Sequence, residues 1–324
     1  MNASALRVAI AGASGIGRHH GKWHHQAGAS VVGFLGRDEQ SCAATAAGLR
    51  ATFPFTGRAY WDLGRLLAVE QPQVVDICVP NELHFSCARQ ALEAGCHILC
   101  EKPLVWQAGS GFAQLLDQAR LLVALARKHH LQLGICTQYA ASLPHYRCLY
   151  EAVRGPLGEI SSFFAEMESV SRGRQRDART MWIDMGPHPL SLLLSWFPDG
   201  AIDPASLRVE FAGSQARAEF DFVADGRCCQ SQILIRDRQE GSPVRRFGVN
   251  GLVVDCLGRT DAAGVYRAVL RQGETEVVGD DFMQLLIAQF DQAAGQGSPP
   301  LVDGATGVRN LELQLEILQE AERR

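Results

Sequence analysis

The sequence predicts an α/β protein with an N-terminal Rossmann domain, a doubly wound parallel sheet, and a C-terminal α+β domain with a large, mostly antiparallel open sheet. Strand-like apolar runs alternate with helical segments in the first third of the chain, which is typical of a parallel sheet. A glycine-rich turn follows the first run, and strand-like segments with little helix fill the second half. At 324 residues the chain is long enough for two cores.

The first domain is expected to span residues 1–130. Val74 to Val79 is almost continuously apolar, as a strand buried on both faces should be. Glu82 to Ala94 is amphipathic and ends before Gly95, a residue typical of helix C-termini. The predicted strands are 7–11, 31–35, 74–79, 97–100 and 131–136, and the predicted helices are 16–27, 39–49, 82–94 and 108–130.

The second domain is expected to span residues 131–324. Asn250-Gly251 is a strong hairpin signal. Two helices are predicted near 282–293 and 306–321, and the closing helix near 306–321 is one that can pack back on the first domain. The predicted strands are 161–170, 207–211, 218–223, 230–236 and 247–256.

Composition argues against several classes of partner. Apolar content is 47%, charged content is 20% and net charge is −4, so neither nucleic acid nor an anionic membrane is an expected partner. No apolar run approaches the roughly 18 residues of a membrane span, and the N-terminus lacks the pattern of a signal peptide. The ten cysteines contain no Cys-x-x-Cys pair, so buried reduced thiols in a cytoplasmic protein are expected.

No metal is expected. His20 and His24 have the spacing of two ligands on one helix face, but no cysteine or acid near them in sequence completes a set. His20 is expected to pack near the cofactor loop instead.

A phosphate-binding turn is predicted at Gly12-Ala13-Ser14-Gly15-Ile16-Gly17. Gly12, Ser14 and Gly17 fit the spacing of the dinucleotide fingerprint, with serine in its second glycine position. The turn lies between the first strand and the first helix, so the N-terminus of that helix, at Gly15 and Ile16, faces the phosphates. We therefore expect a dinucleotide site here.

The end of the second strand favours NADP(H) over NAD(H). The segment reads Phe34-Leu35-Gly36-Arg37, with glycine where NAD-type sites usually carry an acid. The guanidinium of Arg37 suits a 2′-phosphate, to which it can donate charge-assisted hydrogen bonds. Asp38 is the alternative, because a small shift in register restores an acid, and an ordinary exposed arginine is another.

Glu101-Lys102-Pro103 follows the apolar run His97 to Cys100. Lys102 is expected at the carboxyl end of a buried strand, where ligands bind in open α/β sheets. Pro103 favours an extended backbone at Lys102. The sequence alone leaves open a surface loop or a functional lysine.

Asp184 and His188 form a second candidate pair, four residues apart. Pro187 and Pro189 predict a helix start rather than a helix interior. Histidine is the usual general base near neutral pH, and a nearby carboxylate can orient it. A packed histidine at a helix start is the alternative.

Several separated motifs together resemble the glucose–fructose oxidoreductase / inositol dehydrogenase / rhizopine catabolism (Gfo/Idh/MocA) family. The glycine turn with His20 matches G-x-G-x-x-G-x-x-H except at Ser14. The family's (T/V)-P-N-x-x-H loop resembles Val79-Pro80-Asn81-Glu82-Leu83-His84, and its A-L-x-A-G-K-H-V-x-x-E-K-P-L signature resembles Ala91 to Leu104. The spacing Asp184-x-x-x-His188 and the closing segment Phe282 to Gly304 also match.

The resemblance implies a nicotinamide-dependent oxidoreductase acting on a sugar, polyol or related small molecule. Lys102 and His188 are then the proton-transfer groups, supported by Asp184, and the C-terminal sheet joins a homodimer or homotetramer. The cofactor-binding residues implied are Gly12, Ser14, Gly15, Ile16, Gly17, Arg37, Pro80, Asn81, His84, Glu101 and Lys102. A non-catalytic dinucleotide-binding regulator and an NAD-dependent glycosidase are the alternatives within the family.

The substrate side departs from the family pattern. Thr137 to Ala141 lacks the arginine of the family's Asn-x-Arg-Phe, and Ser191 stands where an aspartate often follows the histidine. Tyr139, Arg179 and Trp182 are candidate substrate residues. Four arginines could receive an anionic group, although a solvated loop is favoured; they are Arg172, Arg174, Arg176 and Arg179.

Overall fold

A six-stranded parallel sheet organises the first unit of the chain, Met1–Thr137 with Met283–Val308. The structure is a computed structural model and describes residues 5–171, 173 and 176–323. The strands are β1 Arg7–Ala11, β2 Ser30–Leu35, β3 Arg58–Tyr60, β4 Val74–Ile77, β5 His97–Glu101 and β6 Leu133–Cys136. Their order is β3-β2-β1-β4-β5-β6, so the predicted doubly wound sheet is confirmed.

Five helices connect these strands: α1 Ile16–Gln26, α2 Glu39–Thr52, α3 Leu63–Glu70, α4 His84–Glu93 and α5 Phe112–Lys128. Gly95 follows α4 with φ +84°, as its predicted role at the helix end requires. β3 and α3 were not predicted, because a strand of three residues carries little periodicity. Asp62 caps α3 by accepting a hydrogen bond from the backbone N–H of Arg65 at 2.6 Å.

The first sheet extends past the expected boundary near residue 130. β6 pairs with β5 from Ile98–Leu133 to Glu101–Cys136, so it is a strand of the first sheet. Helix α9, Phe282–Gln296, and the start of α10, Gly304–Glu322, also lie largely in the first unit. α10 packs closely on β6 at Gly307, where an added Cβ would lie 2.5 Å from the Ile135 side chain.

The predicted large, mostly antiparallel sheet is confirmed: it has nine strands and organises the second unit, Gln138–Phe282 with Arg309–Arg324. Its order is β15-β14-β13-β12-β7-β11-β10-β8 with β9 beside β10, and β7–β11 is a parallel pair. The strands are β7 Ser162–Val170, β8 Ala201–Ile202, β9 Arg208–Ala212, β10 Gln215–Ala224, β11 Arg227–Arg238, β12 Arg245–Val249, β13 Leu252–Thr260, β14 Tyr266–Gln272 and β15 Thr275–Asp280. The predicted hairpin joins β12 to β13, where Asn250 and Gly251 both have positive φ.

This unit includes α6 Leu143–Arg154, α7 Ala178–Met185, α8 Pro187–Trp196 and the part of α10 from Arg309 onward. α7 packs against β10 and β11, and α8 packs against β7. Along β11 the residues alternate between buried and partly exposed, so the two faces of the sheet differ. The partly exposed face carries ion pairs, among them Glu166 with Arg246 at 2.7 Å and with Arg236.

Among the described residues, no helix has the length and apolar character needed to cross a membrane.

Candidate functional site

The glycine turn after β1 is shaped by close backbone approaches. Gly12 has φ +92°, and a Cβ there would lie 2.6 Å from the carbonyl oxygen of Cys78. A Cβ on Gly17 would lie 2.3 Å from the carbonyl oxygen of Gly12. Ser14, Gly15 and Ile16 are exposed at the N-terminus of α1, whose free N–H groups favour an anion.

A cavity of about 650 Å³ lies beside this turn, within the first unit. It is found where β1 and β4 are neighbours and the connections diverge, which is where open α/β sheets bind ligands. The residues present therefore fit a dinucleotide. The lining includes Gly12, Ala13, Ser14, Gly36, Arg37, Ser41, Thr45, Trp61, Val79 and Pro80.

The end of β2 offers the guanidinium of Arg37 and, beside it, the carboxylate of Asp38, which already accepts hydrogen bonds. A Cβ on Gly36 would lie 2.5 Å from Sγ of buried Cys42, so glycine is set by packing. Asp38 caps α2 by accepting from the N–H of Ser41 at 2.7 Å, and it also accepts from Nε of Arg37 at 2.9 Å. Hydrogen bonds from Arg37 and Ser41 lower the pKa of Asp38 to about 2. Asp38 is thus committed to the helix cap, while the Arg37 side chain is 85% exposed.

Lys102 follows the last residue of β5, at the carboxyl end of an inner strand as predicted. The Lys102–Pro103 peptide bond is cis. The backbone N–H of Lys102 donates to Oε2 of Glu101 at 3.2 Å. The carboxylate of Glu101 therefore contacts the backbone that carries the lysine.

His84 links the loop after β4 to the turn after β5. Its buried ring places Nδ1 2.8 Å from the carbonyl oxygen of Pro103 and Nε2 3.0 Å from that of Val79. Burial lowers the pKa of His84, and a neutral ring donates only one proton, so the shorter contact to Pro103 is favoured. The family resemblance implied that His84 binds the cofactor, whereas both its ring nitrogens face backbone carbonyls. Its position fits holding the Lys102 turn.

A buried network of hydrogen bonds, which was not predicted from the sequence, runs from α1 to Glu101. Nδ1 of His20 lies 2.8 Å from Oδ2 of Asp76, and Nε2 of His24 lies 3.0 Å from the same oxygen. Nε2 of His20 lies 3.3 Å from Oε1 of Glu101. His24 Nδ1 also contacts Asp291 of α9 at 2.8 Å. The one available signal was Asp76 itself, a charge inside an otherwise apolar strand.

The network is charged near neutral pH. Burial alone would lower the pKa of both histidines, but the carboxylate of Asp291 raises that of His24 to about 9, with help from Asp76. Asp76 likewise raises the pKa of His20 well above its usual value. Burial would raise the pKa of Asp76, yet the two imidazoles hold it below its usual range.

The expectation that no acid or cysteine joins these histidines was wrong. Asp76 and Cys78 approach His20 on one side, and Glu101 and Cys136 on the other, because β4, β5 and β6 are adjacent strands. The 2.8 Å separation of His20 and Asp76 is a hydrogen-bond distance, shorter than the roughly 3.3 Å between two ligands of a tetrahedral zinc ion. We therefore interpret this cluster as a proton-sharing network.

In the second unit, Asp184 lies in the last turn of α7 and His188 in the first turn of α8, which begins at Pro187 as predicted. Gly186 joins the two helices, and a Cβ there would lie 2.6 Å from the carbonyl oxygen of Trp182. His188 is 6% exposed, and its ring packs edge-on against Tyr139 with ring centres 5.2 Å apart.

Arg176 joins two carboxylates rather than standing in a solvated loop. Its Nη1 donates to Asp184 at 2.8 Å, and its Nη2 donates to the fully buried Asp237 at 3.2 Å. Arg179 pairs with Glu322 at 3.2 Å. Two of the candidate arginines, Arg172 and Arg174, lie outside the described residues.

Of the remaining substrate candidates, Tyr139 lies next to His188 and Trp182 does not face a site. The hydroxyl of Tyr139 accepts a hydrogen bond from Nη1 of Arg245 at 3.1 Å. Trp182 is wholly buried, and its Nε1 donates to the carbonyl of Gln314 at 3.1 Å, so it belongs to the core of its unit. Arg245 lies on β12, and nothing local in the sequence pointed to it.

The sheet order, the glycine turn and the cavity define a dinucleotide-binding Rossmann fold. Residues 6–136 match the sequence profile described as an oxidoreductase family with an NAD-binding Rossmann fold. The chain belongs to this family, Gfo/Idh/MocA, because it also aligns along most of its length with a member.

That relative is UDP-N-acetylglucosamine 3-dehydrogenase of Acidithiobacillus ferrooxidans, 30% identical over 327 residues, covering 96% of each chain. D-glucoside 3-dehydrogenase of Escherichia coli is 37% identical over 102 residues, covering 31% of this chain but only 26% of that protein. A solved structure of UDP-N-acetylglucosamine 3-dehydrogenase from A. ferrooxidans aligns over 99% of each chain with a TM-score of 0.72 at 22% identity, which supports the fold.

Proposed function

We propose that this chain is an NAD(P)-dependent dehydrogenase or reductase that acts on a CH–OH group of a sugar, polyol or related small molecule. The main support is the position of Lys102, next to the last residue of β5 in the sheet that carries the glycine turn and the cavity. The two relatives described above are named as sugar dehydrogenases, which is consistent with this class of substrate.

The bound nicotinamide supplies the site that accepts or donates hydride at its C4 atom. His188 takes the hydroxyl proton during oxidation and returns it during reduction. Lys102 is the other proton-transfer group and polarises the carbonyl in the reductive direction. Asp184 supports the charged form of His188. Cofactor binding is assigned to Gly12, Ser14, Gly15, Ile16, Gly17, Arg37, Pro80, Asn81 and Glu101, with His84 positioning the Lys102 turn.

NADP(H) is the preferred cofactor in this proposal. Arg37, Ser41 and Thr45 line the cavity, and the guanidinium of Arg37 can donate charge-assisted hydrogen bonds to a 2′-phosphate. The Arg37–Asp38 pair is exposed and therefore weak, so the guanidinium can also bind the phosphate. The contact between Gly36 and Cys42 disfavours the acid that would bind the diol of NAD.

We also propose a cytoplasmic homodimer or homotetramer. All ten cysteines are free thiols, consistent with a reducing compartment. The ion-paired face of the nine-stranded sheet is the proposed oligomer contact, and size-exclusion chromatography with light scattering tests it.

The function is tested with the purified protein, titrated with NADPH and NADH and then assayed on a panel of sugars, polyols and keto acids by nicotinamide absorbance. Lys102→Ala is expected to lower turnover at least about 100-fold while NADPH binding is kept, because a group that polarises the reacting oxygen is lost. Lys128→Ala, which alters an exposed lysine on α5, is the matched control and should leave turnover unchanged.

Other outcomes separate the alternatives. Retained turnover in Lys102→Ala would exclude its assigned role. Cofactor binding without turnover of any compound would favour a dinucleotide-binding regulator. Glycoside cleavage with a cofactor that copurifies, and no net reduction of added cofactor, would favour a glycosidase.

A further inference from the structure

Arg245 reaches the neighbourhood of His188 from a distant strand of the second unit. It is the first residue of β12 and is partly buried. Its Nε donates to the carbonyl oxygen of Glu168 at 3.1 Å, and its Nη1 donates to the hydroxyl of Tyr139 at 3.1 Å. Tyr139 in turn packs edge-on against His188. A continuous set of contacts therefore runs from the guanidinium to the proposed base.

The neighbours of this guanidinium are mostly neutral. Among the residues that the structure describes, no carboxylate lies within 4.0 Å of Arg245. Asp184 contributes to the electrostatic field at Arg245, but its carboxylate is bound by Arg176 at 2.8 Å. Burial raises the pKa of the Tyr139 hydroxyl and of the Cys256 thiol, so both are uncharged near neutral pH.

A partly buried arginine without a carboxylate partner is unusual where the side chain serves only the stability of the fold. Partly buried charges in proteins are normally paired, because removing them from water is unfavourable. The other arginines that contact this part of the sheet follow that rule: Arg176 meets Asp184 and Asp237, and Arg246 meets Glu166. Arg245 differs, since its two hydrogen bonds go to a carbonyl and a hydroxyl.

We propose that Arg245 binds an oxyanionic group of the substrate, so that the preferred substrates are acidic sugars such as uronates and aldonates. The inference rests on the proposed function, because it places the oxidised carbon at His188. A guanidinium presents donors in a planar fork that matches a carboxylate, and a single arginine balances its one charge. The segment Thr137 to Ala141 contains no arginine, so Arg245 supplies the cation from another strand.

The test compares matched neutral and acidic compounds: D-glucose, D-glucuronate, D-gluconate and D-glucose 6-phosphate. The unmutated protein should turn over an acidic sugar with a higher kcat/KM than glucose. Arg245→Gln should lower kcat/KM for the acidic sugar roughly 30-fold or more, as expected when one partner of a desolvated charge pair is removed. The same substitution should lower kcat/KM for glucose less than about threefold, because glucose carries no charge that would pair with Arg245. A preference for the phosphate over both carboxylates would identify the oxyanion as a phosphate.

Two further variants separate recognition from folding. Arg245→Lys keeps the charge but loses the fork, so its loss should be intermediate. Arg246→Gln alters the next residue on β12, whose side chain points to the other face and pairs with Glu166, and should leave the acidic-to-neutral ratio unchanged. Equal losses for glucose and the acidic sugar, or a preference of the unmutated protein for glucose, would overturn the inference.

Failure of the proposed function gives a different result. If NADPH binds but no compound is turned over, the role of Arg245 is tested by the change in melting temperature that D-gluconate causes in the presence of NADPH. A shift in the unmutated protein that is lost in Arg245→Gln supports anion binding without the reaction. No shift in either protein contradicts it.

Discussion

The contact between His24 and Asp291 should make the stability of this protein fall as pH rises above neutrality. His24 is fully buried, with Nδ1 2.8 Å from Asp291 and Nε2 3.0 Å from Asp76. Although burial opposes the charged ring, these carboxylates raise its pKa from 6.5 to about 9. Asp291→Asn removes one charge and keeps an oxygen that can accept a hydrogen bond from Nδ1.

The direction and the size of this change in stability follow from the linkage between protonation and folding. A raised pKa stabilises the folded state fully below the unfolded value of 6.5, and the contribution is lost as pH rises through about 9. At about 1.4 kcal/mol per pH unit, this rise corresponds to about 3 kcal/mol of unfolding free energy. Asp76 is ionised across the whole window, and the raised pKa of His20 acts in both proteins, so the difference between them reports His24.

Denaturant unfolding at about pH 6, pH 7.5 and pH 9.5 measures this difference. The unmutated protein should exceed Asp291→Asn by up to about 3 kcal/mol at the lowest pH, because the variant keeps the contribution of Asp76, and the gap should close toward the highest. Asp117→Asn, at an exposed position of α5, is the control and should show no such trend. A gap that stays constant from pH 6 to pH 9.5 would refute the assignment of a raised pKa to His24.

Two further predictions concern the cofactor. Arg37→Ala should remove the higher affinity for NADPH over NADH in a fluorescence titration. Arg50→Ala, at an exposed position near the end of α2, is the control and should keep that difference. Equal affinities in the unmutated protein would disprove the NADP preference. Gly17→Ala should weaken NADPH binding at least about tenfold, because its Cβ would lie 2.3 Å from the Gly12 carbonyl oxygen. Gly111→Ala, just before α5, has open space at that position and serves as the control, so similar losses in both would contradict the packing argument.

Features encoded by neighbouring residues could be predicted from the sequence. The apolar run at Val74 predicts β4, and Gly95 marks the end of α4 because a positive φ is needed there. The place of Lys102 followed from the strand before it and the proline after it. The hairpin at Asn250 is equally local, since two residues with positive φ make the turn.

Features that depend on contacts between distant residues could not be predicted from the sequence. His24 and Asp291 are separated by 267 positions, and Tyr139 and Arg245 by 106. No periodicity or motif links such pairs, because their meeting depends on which strands become neighbours. Asp76 is the intermediate case, because its charge in an apolar strand calls for a buried partner without showing which one.

The first unit is discontinuous in the chain, and this has a consequence during synthesis. α9 closes its core late: an added Cβ on Gly134 would lie 2.7 Å from the ring of Phe290, and α9 also carries the countercharge of His24. A nascent chain that has emerged only as far as β6 already contains the glycine turn and Lys102. It still leaves an apolar surface and a buried imidazole without their partners, so this unit reaches its complete form only after nearly all of the second has left the ribosome.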